Sequence, residues 1–204
     1  MALDHVIAQE VIIGDDNEQW VCNCFFDQNS NLVQAFTFNR LRLSPSHFGV
    51  TSYAVSKKNT EVITLSKELG KSIGYKGTAM IEFKHDQRDG KYKYIELNPR
   101  LGLCNFYDTS CGVNNVYYSY LLAQGLDLQK NEEMKEGVVF VSLYEDLFSR
   151  LKDGESIKNI VSDYLNNASK PHVFIYFVWW DPYPFIYQTA IQFRYILKAI
   201  FKKI

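Results

Sequence analysis

Glu82, Glu96 and Asn98 are the residues of this 204-residue chain whose types and spacing best suit shared chemistry. Glu96 and Asn98 stand two apart in the run Tyr-Ile-Glu-Leu-Asn-Pro-Arg (residues 94–100), so an extended strand turns both to one face, together with Tyr94. Glu82 lies in the preceding run. A hairpin closed by an odd-numbered loop such as Arg88-Asp89-Gly90 sets Glu82 opposite Glu96, whereas a two-residue loop sends it to the other face. Two carboxylates and an amide oxygen on one face repel each other unless a cation lies between them, and hard oxygen donors suit Mg2+, with Mn2+ second. Pro99 stops the strand. Arg100 follows at once, where a guanidinium can hold a phosphate or carboxylate oxygen bidentately. Two other readings compete. The acids could be solvated charges paired with Lys84, Lys91 or Lys93. Glu82-Phe-Lys84 also fits the Glu-x-Lys of a metal-dependent nuclease, but a net charge of −1 and the lack of a basic run argue against nucleic acid as a partner.

The elements that must position these groups follow from local pattern. Ala79, Ile81, Phe83, Ile95 and Leu97 turn the opposite face of strands 78–84 and 92–97 into a core, and Asp89-Gly90 supplies the turn. Strands are expected at 5–13, 19–26 and 32–43, with a loop over 45–53. Val62, Leu65 and Leu69 mark a helix capped by Thr60 and stopped at Gly70 or Gly74, and a second helix spans 114–124. Arg40 and Arg42 share a strand face by alternation. A polar run beyond Asp127 separates residues 1–128 from an extension over 129–204. The extension carries a strand at 138–143, short helices at 145–151 and 156–165, an aromatic strand at 173–180 and a terminal helix from 185. The fold class is α+β: an antiparallel sheet with flanking helices, plus a small α/β extension.

With 47% hydrophobic and 22% charged residues the chain is globular rather than disordered. Its four cysteines are read as reduced. The N-terminus lacks the basic start and apolar stretch of a signal peptide, which points to the cytoplasm. Asp181, Pro182 and Pro184 interrupt the most apolar region, leaving it short of the roughly 20 residues a membrane span needs. In the terminal helix Arg194, Lys198 and Lys202 recur on one side while Ile186, Phe193, Leu197 and Ile200 gather on another. Residues 185–204 therefore either make peripheral contact with an anionic inner membrane face or pack on the protein's own sheet, the commoner arrangement.

The hairpin sequence Gly-Thr-Ala-Met-Ile-Glu-Phe-Lys-His-Asp, then Asp-Gly-Lys-Tyr-Lys-Tyr-Ile-Glu-Leu-Asn-Pro-Arg, resembles the metal-binding hairpin of the ATP-grasp superfamily. Those enzymes are carboxylate–amine ligases and their relatives. Within it the chain looks most similar to bacterial ATP-grasp carboligases whose C-terminal extensions carry an element like Asp181-Pro-Tyr-Pro184. The resemblance, over residues 4–126, implies the C-terminal subdomain of an ATP-grasp fold. It implies ATP and Mg2+ as cofactors, a small carboxylate as substrate, and Glu82, Glu96 and Asn98 as metal ligands. It sets Gln9, Glu10 and Ile12 along the adenine, Asp16 at the ribose, and Arg100 and Arg42 at the transferred phosphate or the carboxylate, with Arg40 weaker. Similar proteins have a preceding substrate domain and a first subdomain bearing a phosphate-contacting lysine, which this sequence does not match. The expectation is thus a C-terminal portion of a longer ligase, inactive alone and completed by an N-terminal half or a partner chain. The other reading is a non-catalytic interaction module of the same fold, docked to a partner chain or membrane.

Overall fold

A computed structural model describes residues 8–126 and 133–201, with residues 195–201 known by backbone alone. The central strand, β1 (Gln19–Phe26), is buried along its whole length because both of its faces are covered. Val21 joins the core on one face, and Trp20, Cys22, Cys24 and Phe26 join the core on the other. β2 (Leu32–Ser44) and β4 (Gly77–Asp86) flank it antiparallel, and β5 (Lys91–Asn98) closes a hairpin on β4. With β3 (Val50–Ser56), β6 (Val139–Val141) and β7 (His172–Phe174) the sheet has seven strands in the order β5-β4-β1-β2-β3-β6-β7. β6 and β7 pair in parallel.

Helices cover this sheet where its apolar side chains demand it. α1 (Thr60–Ser72) packs Val62, Leu65 and Leu69 over the Cys22 side. Its cap is Asn59, whose side chain accepts a hydrogen bond from the Val62 amide at 3.1 Å, and not Thr60. A Cβ at Gly70 would lie 2.1 Å from the Phe26 ring, so only glycine lets the helix approach this closely. α2 (Asn105–Ser110) and α3 (Asn115–Ala123) cover the other face. There Tyr107 sits fully buried against Phe36, Phe38 and Phe140, and donates its hydroxyl to the Val138 carbonyl at 2.7 Å. α4 (Leu143–Lys152) and α5 (Ile157–Asn167) contribute Leu143 and Tyr164 to a third cluster around Tyr53, Val139 and Val141. α6 (Tyr183–Phe201) follows a turn bridged between Val178 and Asp181.

Strands 19–26, 32–43, 78–84 and 92–97, the helices at 60 and 114, and both short helices of the extension appear within a few residues of their expected bounds. The remaining differences have local causes. Residues 8–13, expected as strand, run without a ladder, held by a 3.3 Å bond from the Gln87 amide to the Ile13 carbonyl and by a 2.6 Å Glu10–Arg88 ion pair. The loop expected over 45–53 ends at Gly49, and the β-branched run after it forms β3. The aromatic strand 173–180 shrinks to β7, and α2 was not foreseen. The hairpin loop is even, residues 87–90, and by itself would have turned Glu82 away. A bulge at Ile95 restores the register, pairing Glu82 with Glu96 and Met80 with Asn98.

Candidate functional site

On the face that carries α2 and α3, the sheet extends past the helices and leaves a cleft of about 800 Å3. Its floor is a row of polar side chains from four strands: Gln19 of β1, Arg40 of β2, Glu82 and Lys84 of β4, and Glu96 and Asn98 of β5. Gln9, Glu10 and Ile12 form one wall, Arg100 and Leu103 another, and the loop from Pro45 to Gly49 overhangs the third. Thus three strand ladders and one β-bulge gather groups far apart in sequence.

At the centre, Arg40 grips Glu82 with two parallel hydrogen bonds of 2.6 Å each and reaches Gln19 Oε1 at 3.2 Å. The two side chains are only 8% and 11% exposed, so the pair is largely out of water and its partners are fixed. Arg40 Nε is also buried and has no partner among the described residues. Glu96 is exposed and accepts the Asn98 amide at 2.7 Å, while Asn98 Oδ1 lies 3.5 Å from Arg100. Lys84 adds a cation to the same floor.

The structure brings most of the sequence-selected residues together and separates two. Glu82, Glu96, Asn98, Arg100, Gln9, Glu10 and Ile12 all border the cleft. Arg42 does not. Two register shifts around it on β2 break the alternation with Arg40, and its guanidinium is taken by Asp146 at 2.7 and 2.9 Å and by Asp163 at 3.2 Å while lying over the Tyr53 ring. Arg42 therefore ties β2 to α4 and α5. Asp16 is occupied with the overhanging loop, accepting the His47 amide at 3.0 Å and contacting its Nδ1 at 3.2 Å. The Ile95 bulge also sets Tyr94 opposite Phe83, with ring centroids 6.3 Å apart, and turns Ile95 to the cleft instead of the core.

Other residues emerge only in three dimensions. Arg40 moves from weaker candidate to the middle of the floor, and Phe48, 92% exposed, projects from the loop over the cleft. Gly49 lets that loop fold back, since a Cβ there would lie 2.0 Å from the Ser44 carbonyl carbon. Behind the loop after Arg100, Asp108 is 1% exposed and accepts the Asn115 amide at 3.0 Å. Burial pushes its carboxyl up to about 7. Neighbouring Asn23 has neither amide atom partnered among the described residues.

Comparison with known proteins places the chain in a family. The family model described as Carbamoyl-phosphate synthase L chain, ATP binding domain matches residues 8–131, well over half of the chain. The chain belongs to that ATP-grasp family. Over 111 residues it is 31% identical to a D-aspartate ligase of Enterococcus faecium, an alignment covering 53% of this chain and 26% of the relative. The chain thus spans about a quarter of that relative's length. A biotin carboxylase from Campylobacter jejuni, solved as a β,γ-ATP complex, shares the fold at a TM-score of 0.51 and 17% identity, over 61% of this chain and 29% of that one.

Among the described residues no three Asp, Glu, His or Cys side chains cluster as metal ligands. The groups on the hairpin that could hold a hard divalent ion are Glu96 and Asn98, neighbours on β5. Glu82 fits as a third donor through lone pairs not used by Arg40.

Proposed function

We propose that the cleft binds ATP and Mg2+ and belongs to a ligase that converts a small carboxylate to an acylphosphate for attack by an amine. The observation that carries this reading is the meeting of Glu82, Glu96, Asn98 and Arg40 on one cleft floor, with Arg100 and residues 9–12 bordering it. The likeness to a D-aspartate ligase supports a small acid as the activated group. Residues 1–128 would form the ATP-grasp subdomain and 129–204 its extension. A further segment or partner chain would complete the enzyme, and this chain by itself would bind nucleotide weakly and turn nothing over.

In this reading each group has a physical task. The backbone of residues 9–12 faces the base, with Glu10 anchored to Arg88 so that the wall is held against the hairpin. Glu96, Asn98 and Glu82 hold the ion, which when bound neutralises phosphate oxygens and so favours charge build-up during transfer. The exposed Arg100 guanidinium, not tied up by a carboxylate, donates to phosphoryl or carboxylate oxygens, and Arg40 fixes Glu82 on the floor beside them. Lys84 supplies further positive charge. Arg42 and Asp16 are assigned to holding α4, α5 and the His47 loop.

Photolabelling with 8-azido-ATP in the presence of Mg2+ tests the assignment. Label recovered on the peptide containing residues 9–12 and competed away by ATP is expected. Label elsewhere, or label indifferent to ATP, contradicts it.

A further inference from the structure

The last helix leaves much of its apolar surface uncovered. Along α6, Phe185, Gln188, Ile191 and Gln192 are half-buried toward the protein. Phe185 stacks on Tyr144 at 6.2 Å and meets Phe177 at 5.6 Å, and Thr189 shares a 2.5 Å hydrogen bond with the Tyr144 hydroxyl. The outward side carries Tyr183, Ile186, Tyr187 and Phe193 at helical spacing, 58–69% exposed. Just before α6, Trp179 and Trp180 are 86% and 79% exposed, so the apolar strip continues onto the preceding turn.

Charge and side-chain type identify what covers this strip. Residues 183–204 contain Arg194, Lys198, Lys202 and Lys203 and neither Asp nor Glu, in a chain whose net charge is −1. Trp and Tyr, with an apolar body and a polar tip, favour the level of lipid headgroups, and clustered cations favour anionic lipid. Among the described residues no helix is long and apolar enough to cross a bilayer, so contact would lie in the plane of the surface. We propose that the turn at Trp179–Trp180 and the outward face of α6 dock the protein onto an anionic membrane surface. This stands independently of the nucleotide site.

The test is co-sedimentation of the whole chain with vesicles of phosphatidylcholine alone and with about one part in four phosphatidylglycerol. The chain should pellet only with the anionic vesicles, and less at high salt. Its tryptophan emission should shift to the blue, reporting Trp179 and Trp180 because Trp20 is already 9% exposed. The triple variant I186S/Y187S/F193S should bind at least about tenfold more weakly, since it removes most of the inserting apolar surface. Equal binding by the variant, or no binding by the native chain, overturns the proposal. So does a dimer seen by light scattering that the triple variant dissolves while vesicles are ignored, which would make a second copy the occupant. Should the variant fail to fold, quenching of native tryptophan emission by brominated phosphatidylglycerol decides: no quenching overturns the proposal.

Discussion

Glu82→Gln leaves Arg40 charged, largely buried and without its counter-ion. The two 2.6 Å bonds and side-chain exposures of 8% and 11% mark a desolvated pair. Removing one partner of such a pair typically costs about 3–5 kcal/mol, and the residual exposure argues for the lower end, about 3 kcal/mol. In a chain of this length each kcal/mol moves the melting temperature by roughly 2–4 °C, so a fall of about 6–12 °C is expected. Replacing both partners together, Arg40→Met with Glu82→Met, removes the stranded charge and should cost less than either single change. Urea denaturation of the two singles and the double gives the coupling energy directly. A loss below about 1 kcal/mol for Glu82→Gln, with additive singles, would refute the reasoning. It would mean that water already solvates both charges and that the pair does not organise the cleft floor.

Three further outcomes follow from the same contacts. Asp108 is raised to about 7 by burial, from an ordinary value of 3.8. The folded state therefore holds its proton more tightly than the unfolded chain does. The stability this gives is complete below about pH 4 and is lost as pH rises through about 7, by up to about 4 kcal/mol. Asp108→Asn should accordingly raise the melting temperature at pH 8 but not at pH 4, and an equal effect at both pH values would contradict the assignment. Arg42→Ala should lower stability by about 2 kcal/mol in urea denaturation, because the fully buried Asp146 loses its two closest charged bonds and keeps only the Ser52 and Tyr164 hydroxyls and Arg150 at 3.8 Å, whereas the exposed Arg100→Ala should leave stability within about 0.5 kcal/mol. Gly70→Val should destabilise strongly in thermal melts, since even a Cβ would meet Phe26 at 2.1 Å.

The sequence exposed the hairpin because every local signal there agreed: alternating apolar residues, a turn at Asp89-Gly90, and Pro99 closing a strand that carries Glu96 and Asn98. What escaped it were single-residue irregularities and distant partners. The bulge at Ile95 leaves no mark on the pattern, yet it lets an even loop deliver the Glu82–Glu96 pairing. The register shifts around Arg42 likewise leave no mark, and they decide that Arg40 and not Arg42 reaches the cleft. Arg42's main partner, Asp146, lies 104 positions away, and Arg40's, Glu82, lies 42 away, so neither pairing is readable without the strand order. The exposure of Ile186 and Phe193 on α6 was equally hidden, since amphipathic periodicity says that a helix has two sides but not which one the protein covers.

The central claim is that Glu96 and Asn98 hold a divalent ion beside bound ATP. Isothermal titration of the chain with ATP, with and without Mg2+, measures this most directly. The account predicts heat of binding with Mg2+ that weakens by at least about tenfold without the ion, and by a similar factor in Glu96→Gln and Asn98→Ala, each of which removes a charge-assisted or direct oxygen contact. Binding that is absent with Mg2+, or that is unchanged by EDTA and by both substitutions, would contradict it.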